Sequence, residues 1–258
     1  MHIGKPTAST LGALAAVIAV STAGGQTSAR ASAVATHAAC NLPRGSQQVS
    51  LDPRDFTTRI DNPYWPMTPG NRWIYRETDP EGARLKVVVT VTSKTKQIAN
   101  GITARVVHDA VTAGGSPVEI TDDFYAQDKC GNIWYLGEAT KEYENGKVTS
   151  TSGSFEAGVD GAQAGVALPA KPLAGLSYRQ EYYAGQAEDR AQVVSLTDQV
   201  EVPFGHFGRG KVLMTRDWNP IHPKDLEFKF YARGVGPALA IGVSRGSDRE
   251  ELVSFTRG

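Results

Sequence analysis

From Leu85 onward the chain alternates. Leu85, Val87, Val89 and Val91 share one parity, while Lys86, Thr90, Thr92 and Lys94 mostly hold the other. A period of two sends successive side chains to opposite faces of a pleated strand, so the run predicts a half-buried β-strand. Asn100-Gly101 is a hairpin signal, and Ile102 to Val111 returns as the next strand. Gly114-Gly115 turns the chain into Val118 to Gln127, and Cys130-Gly131-Asn132 turns it into Ile133 to Glu138. Glu144-Asn145-Gly146-Lys147 marks a further hairpin. The second half reads as strands over 177–184, 191–202, 211–217, 225–232 and 238–243, with 250–256 last. No segment keeps the i, i+3, i+4 spacing of an amphipathic helix over three turns. Ahead of Gly70, Pro63, Pro66 and Pro69 forbid a regular helix or a central strand.

The second half repeats the first at an offset of about 105 residues. Pro69 to Tyr75 aligns with Ala174 to Tyr178, Leu85 to Ile98 with Ala191 to Val202, and Phe124-Tyr125-Ala126 with Phe230-Tyr231-Ala232. The run ending in Leu136-Gly137 aligns with the one ending in Ile241-Gly242. The expected organisation is a signal peptide and flexible leader (1–39), an irregular Pro-rich lead-in (40–71) and a first β repeat (72–151). A Gly-, Ala- and Pro-rich linker (152–172) and a second repeat (173–258) follow. The fold class is therefore all-β and mostly antiparallel, a tandem-duplicated unit forming a sandwich, half-barrel or barrel. A single copy leaves open edges, so the copies are expected to pair into one structure.

Lys5 followed by an apolar stretch from Leu11 to Val20 and small residues at 21–23 and 31–33 fits a cleaved secretory signal. The stretch is too short for a bilayer core of ~30 Å, so no transmembrane segment is expected in the mature chain, and the protein is read as secreted or envelope-associated. Cys40 follows Ala38-Ala39 as in a lipid-attachment site, but His37 stands where that motif needs a Leu-like residue. Lys plus Arg and Asp plus Glu each total 27, which leaves no net bias toward nucleic acid. The chain has 2 cysteines, Cys40 and Cys130, and export favours their pairing.

Six phrases carry a resemblance: Asp61 to Met67 (Asp-Asn-Pro-Tyr-Trp-Pro-Met), Phe124 to Asp128, Trp134 to Glu138, Phe155 to Gly161, Tyr178 to Gly185 and Arg249 to Val253. Together they resemble a family of secreted, uncharacterised actinobacterial proteins over essentially the whole mature chain. The resemblance implies an exported β protein and no particular activity. The architecture is also loosely similar to periplasmic lipid carriers of the LolA type.

The repeat supplies an internal comparison for candidate chemistry. At an offset of 106, Ile120, Phe124 and Ala126 match Leu226, Phe230 and Ala232, but Asp122 matches Phe228 and His108 matches Met214. A carboxylate in phase with Ile120 and Phe124 is expected to be partly desolvated, which suits proton transfer or ligand binding. Whether it meets His108 depends on the turn: a plain two-residue turn pairs Asp122 with Val107, and a one-residue slip sets it opposite His108. His108, Asp122 and Glu181 are thus the candidate catalytic residues. Tyr178 and Tyr182, with Tyr64 and Trp65 of the lead-in, are the candidate ligand-binding residues, since rings with interleaved polar groups can line a headgroup site. The bland alternative is that tyrosines favour strands and that Arg179 and Glu181 form cross-strand pairs.

Gly242-Val243-Ser244-Arg245-Gly246 spells a nucleophile elbow, but strand follows it and no histidine lies beyond His222. His206 falls in a hairpin turn and His222 between two prolines. No zinc, phosphate-loop, dinucleotide or calcium spacing is present, so no metal or cofactor is expected. The leading expectation is a secreted β protein that binds a lipid or other amphipathic small molecule. The alternatives are an extracellular hydrolase or lyase using carboxylate and histidine groups, and a cell-envelope interaction protein.

Overall fold

A computed structural model describes residues 40–243 and 248–258. Beyond the lead-in, whose Pro53–Asp55 forms a short 3₁₀ turn, the described chain is strand and turn. The first half contributes β1 (Phe56–Thr57), β2 (Arg72–Thr78), β3 (Arg84–Gln97), β4 (Thr103–Ala113), β5 (Ser116–Asp128) and β6 (Ile133–Glu144). Next come β7 (Lys147–Ser150), β8 (Phe155–Glu156) and β9 (Gln163–Leu168). The second half contributes β10 (Ser177–Arg179), β11 (Glu181–Tyr182), β12 (Arg190–Val202), β13 (Gly205–Trp218), β14 (Leu226–Ala232), β15 (Gly236–Gly242) and β16 (Arg249–Thr256).

Pairing order shows how the duplication closes. The path runs β10-β12-β13-β14-β15-β16-β2-β3-β4-β5-β6-β9-β11, antiparallel throughout. β16, the last strand of the second unit, pairs with β2, the first of the first unit. Reciprocally, β9, a fully buried strand inside the stretch of 152–172 expected to be a linker loop, pairs with β11 at the start of the second unit. The two ends of the path, β10 and β11, are separated only by Gln180, so one chain segment joins both edges of the sheet. Of sandwich, half-barrel and barrel, the pairing selects a nearly closed barrel, in which neither unit keeps a long free edge. Closure needs a glycine at the seam. A Cβ on Gly165 of β9 would collide with the backbone of Gln180.

Both units carry the same bulge. In β5–β6 the register skips a residue between Phe124 and Tyr125, and in β14–β15 between Phe230 and Tyr231. This matches Gly137 with Leu239 rather than with Gly242, three residues from the match expected from sequence. The β13–β14 register likewise differs: Met214 faces Phe230, and it is Arg216 that faces Phe228. Arg216 is therefore the structural counterpart of His108, a shift of two residues. The first copy's two-residue turn is replaced in the second by a loop over 219–225, which admits a different register.

Aromatic rings from the lead-in and from both units meet at one end of the barrel. There the lead-in crosses the barrel, held by Gln127, whose side-chain oxygen accepts from the Asp61 and Asn62 amides at 2.9 and 3.0 Å. Asn62 in turn donates to the Gly131 and Pro169 carbonyls. Trp65 drops into the barrel between Tyr125 and Tyr231, with ring centroids 5.3 and 6.0 Å apart. These two tyrosines are equivalent in the repeats, so one tryptophan caps both units. Beside it, Trp73 donates its indole N–H to the Val235 carbonyl at 2.9 Å. Cys40 and Cys130 form a disulfide with Cα atoms 6.1 Å apart, tying the lead-in to the turn after β5.

Candidate functional site

Register assigns each parity to a face. Val87, Val89 and Val91 of β3 lie opposite Val111, Asp109 and Val107 of β4, which lie opposite Glu119, Thr121 and Asp123 of β5. The last three face Glu142, Thr140 and Glu138 of β6. Since the valines are buried at 3% exposure or less, this parity is the interior, and it is strongly polar on β5 and β6. The second unit repeats the arrangement: Thr215 and Asp217 of β13 face Lys229 and Glu227 of β14. Glu250 of β16 faces Glu77 of β2 and closes the ring of acids. The interior is consequently graded along its axis. Trp65, Trp73, Tyr125 and Tyr231 occupy the end under the lead-in, and the carboxylates lie toward the other end.

These acids sense one another. Asp109 and Asp123 are each 3% exposed and Glu138 is 9% exposed, all within the barrel wall. Burial, followed by the charges of Glu138 and Asp109, pushes the Asp123 carboxyl up to about 7, although it accepts a 2.7 Å hydrogen bond from the Tyr135 hydroxyl. Burial, then Glu77, Asp109 and Glu227, push Glu250 up to about 8. Asp109 thus acts on groups in strands to either side of its own. The folded protein keeps protons at these two sites that an unfolded carboxylate releases near pH 4. Their stabilising contribution is present below about pH 4 and is lost as pH rises through about 7 to 8. Stability is expected to fall between pH 5 and 8, by up to about 1.4 kcal/mol per pH unit for each group. Asp123→Asn keeps an acceptor for Tyr135 and should flatten the profile, read from denaturant midpoints at pH 5, 6.5 and 8. Parallel profiles for the variant and its parent would show that Asp123 is not the titrating group.

One corner holds a base. Lys229 is 1% exposed, with its ammonium 3.1 Å from Asp217 and 3.0 Å from Glu227. Burial alone would lower its pKa, but the two carboxylates hold it well above the usual lysine value. Asp217 also accepts from Thr215 at 2.7 Å and from the Gln180 amide at 3.2 Å. Gln180 is the seam residue, so this corner sits where the barrel closes. Among the described residues, the Gln180 side-chain oxygen and the Tyr178 hydroxyl, in residues 7% and 2% exposed, have no hydrogen-bond partner. Burial and then Asp217 raise the Tyr178 pKa well above its usual value, so its hydroxyl stays protonated.

The candidate residues read from sequence divide between two faces. His108 and Asp122 do meet, Nδ1 to Oδ1 at 2.7 Å, because a bulge after the Gly114-Gly115 turn supplies the one-residue slip. Their face is the outer one, with side chains 42% and 47% exposed, so Asp122 is not the desolvated carboxylate of this strand. That group is its neighbour Asp123. Exposed pairs of this kind contribute about 0–1 kcal/mol, so Asp122→Phe is expected to change stability by no more than about 1 kcal/mol in thermal melts. A larger loss would mean that Asp122 holds the β4–β5 register. Glu181 lies three strands from β5 at the seam and is buried; burial, then Asp123 and Glu138, raise the Tyr135 pKa well above its usual value, and Glu181 adds the smallest share. Trp65 and Tyr178 face the interior. Tyr64 is buried with the Arg233 guanidinium over its ring at 5.5 Å, and Arg179 lies over the Tyr182 ring at 5.6 Å. His206 is exposed but lies in β13 opposite Glu201, just past the turn in which the sequence placed it, and Ser244 lies outside the described residues.

Sequence reasoning missed the interior acids because it took their parity for the solvated one. A usable signal was present. Tyr125 and Tyr231 share that parity with Asp123 and Lys229, and large rings recurring on a polar face suit the inside of a barrel. Among the described residues no three His, Cys, Asp or Glu side chains converge as metal ligands do. No described helix is long and apolar enough to cross a membrane, which does not bear on strands.

Comparison with protein families and with curated proteins returns no match. Among solved structures, the chain is similar to a "putative lipoprotein" from Parabacteroides distasonis ATCC 8503, at 13% identity and a TM-score of 0.41 over 75% of this chain and 98% of that one. It is also similar to a β-barrel-like protein from Brucella abortus, from a domain of unknown function, at 12% identity and a TM-score of 0.33 over 72% and 96%. The assignment of the barrel rests on the strand pairing itself.

Proposed function

We propose that this is an exported binding protein that takes an amphipathic small molecule, lipid-like in its apolar part, into its barrel. The observation that carries the reading is the graded interior. Trp65, Tyr125 and Tyr231 offer an apolar end of the kind that buries a chain or ring, and the acids beyond them offer fixed polar contacts. Export is proposed from the charged, apolar and small-residue order of positions 1–39, and it accords with the disulfide. Native mass spectrometry of the chain purified from its own host should find a co-purifying amphiphile. After its removal, the protein should take up the fluorescent probe N-phenyl-1-naphthylamine saturably, at one site per barrel. Failure of that probe and of every C12 amphiphile to bind saturably would sink the reading.

A second reading, an extracellular hydrolase, is favoured by one observation. Asp123 and Glu138 are register partners, and Asp123 is pushed up to about 7, where a carboxyl can serve as a general acid at neutral pH. Its test is release of reducing ends from envelope polysaccharide, lost in Asp123→Asn. Turnover that survives this change would remove Asp123 from any catalytic role.

A further inference from the structure

We propose that a groove on the outer face of the first unit is a second binding site, which takes a small organic anion with a flat apolar body, such as an aryl carboxylate or sulfonate. The groove is separate from the barrel interior and does not rest on the uptake reading above.

Two observations carry the proposal. The first is the groove itself. It encloses about 520 Å³ between β3 and the β4–β5 turn, a volume within the range of small-molecule sites. Its floor is Val88 and Ala110, register partners on the outer parity of β3 and β4, and both are partly exposed. Thr112 donates its hydroxyl to the Lys86 carbonyl at 3.2 Å, and Gly114-Gly115 line the end of the groove without side chains. Arg84 and Lys86 share the parity of Val88 and are exposed at the rim. Among the described residues neither cation is ion-paired. Acids at neighbouring positions of this face are already engaged, Glu251 by Arg76 and Asp122 by His108, each at 2.7 Å. An apolar floor bordered by two free cations complements a ring that carries a negative group.

The second observation is the other unit. With Arg216 as the counterpart of His108, Trp218 stands in the place of Ala110 and its register partner Arg190 in the place of Val88. The Arg216 guanidinium lies over the Trp218 ring at 5.1 Å. The second unit thus sets an indole and two guanidinium groups where the first has two small side chains. The same β unit carries either arrangement, so the small floor of the first unit is not required by the fold.

The test uses the full chain and a pair of probes that differ by one sulfonate, 8-anilino-1-naphthalenesulfonate and N-phenyl-1-naphthylamine. The sulfonate should bind saturably in calorimetric titrations and shift the methyl resonances of Val88 and Ala110, whereas the neutral probe should leave them in place. Ala110→Trp, which copies the second unit, should weaken sulfonate binding at least roughly tenfold and change uptake of the neutral probe by less than roughly twofold. Arg84→Glu combined with Lys86→Glu, at exposed positions that the fold does not need, should weaken sulfonate binding at least roughly fivefold. That variant also decides the matter if Ala110→Trp fails to fold. Sulfonate binding that survives charge reversal, or that leaves both methyl groups unshifted, overturns the proposal. Equal shifts from the neutral probe overturn the anion preference. Uptake of the neutral probe without sulfonate binding overturns the groove alone and leaves the barrel reading standing.

Discussion

Lys229→Met is expected to destabilise the protein by about 3–5 kcal/mol at pH 8. The lysine is 1% exposed and lies within 3.1 Å of both Asp217 and Glu227. Removing the ammonium leaves two carboxylates inside the barrel with their shared cation gone, and solvating them there is costly. Burial already raises the Glu227 pKa, with Lys229 opposing the rise, so losing the lysine raises it further. The deficit should therefore shrink as pH falls toward 5 and Glu227 protonates without penalty. Adding Asp217→Asn and Glu227→Gln to the lysine variant should restore most of the loss, because a neutral corner has no charge to desolvate. Urea midpoints of the single and triple variants decide the matter. A single-variant loss below about 1 kcal/mol would show that water reaches this corner and screens it.

Cys40→Ser combined with Cys130→Ser is expected to lower stability by about 4.5 kcal/mol on the chain-entropy account of a bridge spanning a sequence separation of 90. The effect lies in the unfolded chain, because the turn bearing Cys130 is organised independently of the bridge. Asp128 accepts from the amides of Cys130 and Asn132, the side-chain amide of Asn132 and the Trp134 indole at 2.8–2.9 Å. The lead-in also keeps the bonds of Asn62 and Gln127. The folded barrel should thus persist, with a lower denaturant midpoint and earlier protease cleavage in the residues just after position 40. A loss below about 1 kcal/mol would mean that the unfolded chain is already compact around this pair.

Strand existence and the duplication were legible in the sequence because both are written locally. Period-two alternation, Asn-Gly and Gly-Gly turns and the recurring Phe-Tyr-Ala phrase need no knowledge of distant partners. The Cys40–Cys130 bond was legible for a simpler reason, there being two cysteines and an exported pattern. What alternation cannot state is which face of a strand becomes the inside. On β5 the apolar parity, Ile120 and Phe124, lies outside, where Lys96 covers the Phe124 ring at 4.8 Å. The polar parity of Glu119, Thr121 and Asp123 lies within. One bulge between the Gly-Gly turn and Asp122 decided that Asp122 meets His108, and a bulge is a single-residue event with no periodic signature. Pairing of β16 with β2 then brought Asp109 and Glu250, far apart in the chain, within each other's field. Sequence alone determined two β units and their turns. Only the tertiary structure decided that the units join head to tail into a barrel and enclose their carboxylates, because pairing, register and facing depend on contacts that no local pattern encodes.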